Sequence, residues 1–413
     1  MRLFFAALVL PAVLAAQPVQ KLLIISIDGF DARFLSNPAL RVKMPNTRRL
    51  MRDGASATVI GVAPSDSWPS HASIVTGVAP WQHGVVANAR PGAPGQRFFE
   101  SSSIKTETLW DAATKKGLRT ATIYWPGTVG AGVAFDFPEY WEERQGNAIP
   151  MAPIAQKSTP AGIIDRVSQM FPPFDKQLWD DSSSADAALY LLSSEKADVV
   201  FVHMAEADAE QHDTGALSIY AREILENDDD MIGQILAKAA PGTLVALVSD
   251  HGFENSLHIV RPRVLLQQAG VRGRVEVEDG LIGTGDLAVA DALRKLVGLG
   301  RKSGIAREVR MSEVKSKAPS LARWVAAFDT LPDYIPSNED RGAGVGPGTH
   351  LGVHGLWPTR PGYRSVFILA GTGVHSVKLG EIDMLQIAPT LAEAIGVKLP
   401  AAKAGSLWPA VSR

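Results

Sequence analysis

Short, continuous apolar runs alternate with amphipathic stretches along this chain, and the alternation predicts its architecture. Lys21–Ile27 (KLLIISI), Asp198–Met204 (DVVFVHM), Thr243–Ser249 (TLVALVS) and Arg364–Ala370 (RSVFILA) have the pattern of strands buried on both faces. Thr120–Trp125 reads as another strand, and Thr58–Val62 as a short β-prone segment. Between them, residues 45–55, Leu109–Lys116, Ser184–Ser194 and Ile219–Ala239 carry helical patterns, and Ile382–Ile395 reads as a closing helix. Phe135–Asp181 lacks a clear period and is expected to be loops around one short helix at Ile163–Met170. Strands interleaved with helices predict an α/β fold with a central, mostly parallel sheet. The pattern weakens over 260–345, where Ala288–Val297 and Ser312–Val325 look helical, and this stretch is expected to be an inserted cap or subdomain. Without repeats or low-complexity linkers, residues 20–413 are expected to form one domain carrying that insertion.

The first sixteen residues, MRLFFAALVLPAVLAA, combine one Arg, an apolar run and small residues, the pattern of a signal peptide over 1–16 with cleavage near Ala15 or Ala16. A periplasmic or secreted location is therefore expected, with an uncleaved anchor as the alternative. No other stretch reaches the roughly 18 apolar residues that a membrane span needs. With 41 basic and 43 acidic residues, the net charge of −2 carries no nucleic-acid footprint. Cysteine is absent, so a transition metal must be held by His and carboxylates, and neither disulfides nor a Cys nucleophile can operate.

Candidate chemistry gathers where the apolar runs end. Asp28 follows the first, Asp208 and His212 follow DVVFVHM, Asp250 and His251 follow TLVALVS, and His354 lies in the Gly-rich return Gly342–Gly355. Ligands in open parallel sheets bind beyond the carboxyl ends of the strands, so these residues converge on one edge. Singly, each has an ordinary reading as a turn former or structural histidine. Together, three Asp and three His are the inventory for two borderline divalent ions. Ser67 precedes a predicted helix with Pro69 in its first turn, where free N–H groups favour an anion. Two ions roughly 4 Å apart could serve an in-line phosphoryl displacement, with the Ser67 hydroxyl activated by coordination. His71 is then not required as a base, and His71, His83 and His350 are expected to be structural or to support the ligands.

The blocks IDG at Asp28, PSDSWPSHASIVTG around Ser67, PWQHGVVAN ending at Asn88, YWPG at Tyr124, DAEQH at Asp208, VSDHG at Asp250 and VHG at His354 resemble, in order, the nucleotide pyrophosphatase/phosphodiesterase branch of the alkaline phosphatase superfamily. The resemblance covers 21–255 and 345–400 and implies an alkaline-phosphatase-like three-layer sandwich over 20–413. It implies two Zn2+ ions, one held by Asp208, His212 and His354 and the other by Asp28, Asp250 and His251. Manganese, iron or cobalt would suit the same donors. It further implies that Ser67 is a nucleophile forming a phosphoseryl intermediate, and that Asn88 donates to a nonbridging phosphate oxygen. Trp68 and Tyr124 are the expected substrate contacts, and the expected substrate is a small phosphodiester or nucleotide. The chain departs from the branch at four positions: Ser67 replaces the usual Thr, Trp68 a common Phe, His203 a common Tyr and Gln211 a usual Gly.

Three rival readings remain at this point. A phosphomonoesterase would use added cations, including a Lys-x-Arg pair after the YWPG strand, where this chain has Thr128-Val129-Gly130. A sulfatase is suggested by Ser67-Trp68-Pro69-Ser70, but His71 stands where that signature requires Arg, and there is no Cys to oxidise. A non-catalytic metal-binding protein is the third, against which stands the complete set of ligands and nucleophile.

Overall fold

The structure is a computed structural model, and it describes residues 21–93, 95–141, 151–172, 174–176 and 179–412. The segment expected to be a signal peptide lies outside them. Eight strands form the central sheet: β1 (Leu22–Ile27), β2 (Ala55–Ile60), β3 (Thr120–Ile123), β4 (Phe135–Phe137), β5 (Val199–Met204), β6 (Leu244–Val248), β7 (Ser365–Ala370) and β8 (Val377–Asp383). Their spatial order is β8-β2-β7-β6-β1-β5-β3-β4. Only β7 runs against the rest, pairing antiparallel with both β2 and β6.

The continuous apolar runs are explained by burial on two faces. On β1, Leu22 and Ile24 point into one core while Leu23, Ile25 and Ile27 point into the other, and β5 and β6 divide in the same way. Helices α1 (Pro45–Asp53), α3 (Asp181–Tyr190) and α5 (Ile219–Lys238) cover one face, and α2 (Ser67–Thr76) and α6 (Ile387–Ala394) cover the other. The result is a three-layer α/β/α sandwich with a mostly parallel sheet. Helix α4 (Glu206–Thr214) lies beyond the end of β5.

Several expectations are corrected. Ile382–Ile395 is not one helix: residues 377–383 are strand β8, and the helix begins at Ile387. A register shift between Lys378 and Gly380 breaks the alternation that would have marked an edge strand. Phe135–Asp181 contains β4 and the helix Met151–Lys157 beside the expected one at Ile163–Met170. Ser312–Val325 splits into a helix at Met311–Lys317 and a 3-10 turn at Pro319–Arg323, and Pro319 accounts for the break.

Within 260–345, strands Ile305–Val309, Ala326–Thr330, Leu281–Thr284 and Glu276–Glu278 form an antiparallel sheet, in that order, with a core of its own around Ile282, Leu293 and Phe328. A second cluster joins Leu281, Leu321 and Trp324 of this region to Ala63 and Trp357 of the main body. The chain enters and leaves through a three-stranded sheet of Tyr334–Pro336, His258–Val260 and Val345–Pro347. Next to it, Gly352–Val353 pairs antiparallel with Glu254–Asn255, which brings His354 back to the loop after β6.

Candidate metal centre

All six expected ligands arrive at the carboxyl edge of the sheet. Asp28 follows β1, Asp250 and His251 follow β6, Asp208 and His212 stand one turn apart on α4, and His354 follows the returning strand. They fall into two groups of potential donor atoms, Asp208/His212/His354 and Asp28/Asp250/His251, each within 4.8 Å of one another.

Each carboxylate has one oxygen engaged and the other free. Asp250 Oδ1 accepts from the backbone N–H of Gly29 and of His251, both at 3.0 Å. Asp28 Oδ2 lies 3.1 Å from His203 Nε2, and Asp208 Oδ2 lies 3.5 Å from His212 Nε2. The remaining oxygens, Asp28 Oδ1, Asp250 Oδ2 and Asp208 Oδ1, are buried without a hydrogen-bond partner among the described residues. They converge on His251 Nε2 at 3.4, 3.2 and 3.9 Å. Ser67 Oγ, at the start of α2, lies 3.4 Å from the same nitrogen.

Burial pushes Asp28 far above the usual carboxylate range, and the neighbouring Asp250 charge adds to it. Asp208 is raised by burial as well, whereas Asp250 is held low against burial by His251 and His71. Burial drives His251 down to about 3. Burial opposes protonation of His354 too, but Asp66 and Asp208 push it up to about 9. Buried acids that repel one another and turn unpartnered oxygens inward are the surroundings that divalent cations relieve. The O and N donors fit two such ions.

Two neighbours not predicted from sequence complete the centre. His203, on β5, donates from Nδ1 to the Tyr124 carbonyl at 3.0 Å and places Nε2 against Asp28. Asp66 Oδ1 lies 3.4 Å from His354 Nδ1. A third donor group, Asp28/His71/His203, is also compact. His71, however, is committed at both ring nitrogens, Nδ1 to the Ser67 carbonyl at 2.8 Å and Nε2 to Ser26 Oγ at 2.9 Å. His71 therefore braces the start of α2. His83 is buried between Ser73 Oγ and the Val85 N–H, consistent with a structural role. His350 is exposed, and its backbone N–H donates to the Ser256 carbonyl at 2.9 Å. Gln211 ties α4 to the loop after β1 through Nε2 to the Gly29 carbonyl at 2.9 Å.

The substrate-side residues are less open than expected. Asn88 Oδ1 accepts from the Trp68 N–H at 3.0 Å, and no hydrogen bond among the described residues uses its Nδ2. Trp68 is only 4% exposed, edge-on to Phe99 and Trp141 at 5.5 and 6.4 Å. Tyr124 is buried, with its ring 4.9 Å from that of Trp179 and its hydroxyl 3.3 Å from Ser183 Oγ. Its ring packs in the core, and its backbone carbonyl accepts from His203 Nδ1.

Fold and site together define an alkaline-phosphatase-like α/β protein with a candidate two-metal centre at the sheet edge. The family model for type I phosphodiesterase / nucleotide pyrophosphatase matches residues 22–335, and the chain belongs to that family. It is 24% identical to human ectonucleotide pyrophosphatase/phosphodiesterase family member 1 over 246 residues, which are 56% of this chain and 23% of the relative. It is 25% identical to the human bis(5'-adenosyl)-triphosphatase ENPP4 over 250 residues, 56% of this chain and 47% of that one. The aligned part thus spans from under a quarter to about half of these relatives' length. Among solved structures, murine ectonucleotide pyrophosphatase/phosphodiesterase 5 in complex with AMP shares the fold with a TM-score of 0.62 at 16% identity, covering 95% of this chain and all of that one.

Proposed function

We propose that this chain is an exported, two-zinc phosphodiesterase or nucleotide pyrophosphatase that works through a phosphoseryl intermediate on Ser67. The observation that carries the reading is the convergence on His251 Nε2, all within 3.9 Å, of Ser67 Oγ and three carboxylate oxygens that have no hydrogen-bond partner among the described residues. When bound, two divalent ions would lower the pKa of the Ser67 hydroxyl and offset charge on the phosphate. Ser67 Oγ attacks phosphorus and the leaving oxygen departs and is protonated, which leaves a phosphoseryl intermediate that still carries the other ester group; water then cleaves the seryl ester, returning the proton to Ser67 Oγ and releasing a phosphate monoester. His71 is not the base, because both its nitrogens are spent on Ser67 O and Ser26 Oγ; it fixes the attacking residue's backbone. Asn88 Nδ2 and the Ser67 backbone N–H are the donors for nonbridging oxygens, since Trp68 N–H is spent on Asn88 Oδ1 and Pro69 has none. Export rests on the MRLFFAALVLPAVLAA pattern. A nucleotide as substrate is supported by the family and by the AMP-bound relative of the same fold.

Charge favours a diester. Two divalent ions would face the three ligand carboxylates and Asp66, so positive and negative charge balance before substrate enters. Among the described residues no Lys or Arg forms an ion pair with any of these four acids; their partners are all histidines. One negative charge on the substrate suits that balance better than two. With zinc-loaded protein, kcat/KM for bis(p-nitrophenyl) phosphate should exceed that for p-nitrophenyl phosphate by at least about tenfold, or about 1.4 kcal/mol in barrier. A reversed preference would restore the monoesterase reading.

A further inference from the structure

Asp66 immediately precedes α2, in extended backbone geometry (φ −112°, ψ 159°). An aspartate in that place ordinarily accepts from the free N–H groups of the first helical turn. Asp66 makes no such bond. One of those groups, Trp68 N–H, donates instead to Asn88 Oδ1. The Asp66 carboxylate is turned to His354, with Oδ1 3.4 Å from Nδ1, a buried nitrogen that makes no aligned hydrogen bond among the described residues and has this carboxylate as its near acceptor. Gly355 keeps the space for this contact: its φ is +76°, and a Cβ there would come within 2.9 Å of Asp66 Oδ1.

We propose that Asp66 is a positioning residue for one of the two cations: it holds the proton on His354 Nδ1 and thereby presents Nε2 toward Asp208 and His212. The inference rests on the two-cation reading above. A neutral imidazole ligates through the nitrogen that lacks the proton, and an acceptor at the other nitrogen decides which one that is. His354 Nε2 lies on the Asp208 side, 3.8 Å from Oδ1. His212 follows the same logic with a different acceptor, its Nδ1 3.0 Å from the Gly352 carbonyl. His251 Nδ1 is buried with no hydrogen-bond partner among the described residues, and the acid contacts of that imidazole run through Nε2 instead. Only the Asp208/His212/His354 group therefore depends on partners behind its imidazoles, and losing Asp66 should weaken one ion and spare the other.

The test is a zinc titration of metal-free wild type, Asp66→Ala and Asp66→Asn against a chromophoric chelator, with the melting temperature of each metal-free protein measured alongside. Wild type should bind two ions; fewer would remove the two-cation reading itself and this inference with it. In Asp66→Ala one dissociation constant should rise by about 10- to 100-fold while the other stays within about twofold. Asp66→Asn, whose amide oxygen still accepts, should recover most of that loss, and the metal-free melting temperatures should match. With two ions bound by wild type, unchanged affinities in Asp66→Ala would overturn the inference alone. So would an equal loss at both ions with a lowered metal-free melting temperature, which marks a merely structural aspartate. An equally large loss in Asp66→Asn would overturn the acceptor role.

Discussion

Individual residues differ in how much their type reveals. Asp28, Asp250 and His251 were legible because each ends a run of buried aliphatics, where a polar residue has few structural reasons to stand. His203 and Asp66 were not: one is a polar residue inside a buried strand, the other resembles a helix cap, and only distances reveal that they face Asp28 and His354. Trp68 and Tyr124 were expected substrate contacts through the resemblance alone, and the residue types could not show that both side chains are buried. Asp136 on β4 is a different buried acid. Its Oδ1 accepts from Thr122 Oγ1 at 2.8 Å, and burial raises its pKa to about 7. A folded-state pKa above the unfolded one means that the native state binds the proton more tightly. Its contribution to stability is then full below the ordinary value of 3.8 and lost as pH rises toward 7. Asp136→Asn should therefore gain stability relative to wild type between pH 5 and pH 8, read as a difference in urea midpoints; an unchanged difference would show that Asp136 does not carry that dependence.

At the scale of elements, the order of the buried strands could be read only as far as their faces. Alternating Leu22, Ile24 and Leu23, Ile25 announces a strand covered on both sides, but not that β7 lies antiparallel between β2 and β6. The small sheet within 260–345 escaped because its strands are short and Ile305–Val309 is only partly buried, so no continuous apolar run marks it. That region is tied to the loop after β6 through charge. Arg307 Nη2 and Arg360 Nη1 hold the two oxygens of Asp329 at 3.2 and 3.1 Å, and Arg360 Nε and Arg33 Nη1 flank Glu254 Oε1 at 4.0 and 3.9 Å. Arg33 pairs with Asp31, whose Oδ2 accepts the Phe253 N–H next to the His251 loop. Arg360 is 1% exposed, and its loss leaves buried Asp329 to Arg307 alone and buried Glu254 to Arg33 alone. Arg360→Met should cost about 3–5 kcal/mol in urea denaturation; a loss below about 1 kcal/mol would mean that the network is not what joins the two regions.

For the molecule as a whole, the three layers serve to deliver groups from four separate stretches of chain to one edge. β1 and β6 are adjacent, so Asp28 and Asp250 are brought together by sheet pairing, while α4 and the Gly352–Val353 return close the other side. The sequence order of the motifs could announce this convergence, since each block ends an element, but not the charge balance around it, which depends on which cations stay away. The central claim is that two cations at these donors make Ser67 a nucleophile. The most direct test is to titrate Zn2+ into the metal-free chain while following bis(p-nitrophenyl) phosphate hydrolysis, in parallel with Ser67→Ala. Turnover should rise to a plateau at two equivalents and fall by at least about 10^3-fold in the variant, which should still bind both ions. Full activity at one equivalent or without metal, or turnover that survives in Ser67→Ala, would contradict it.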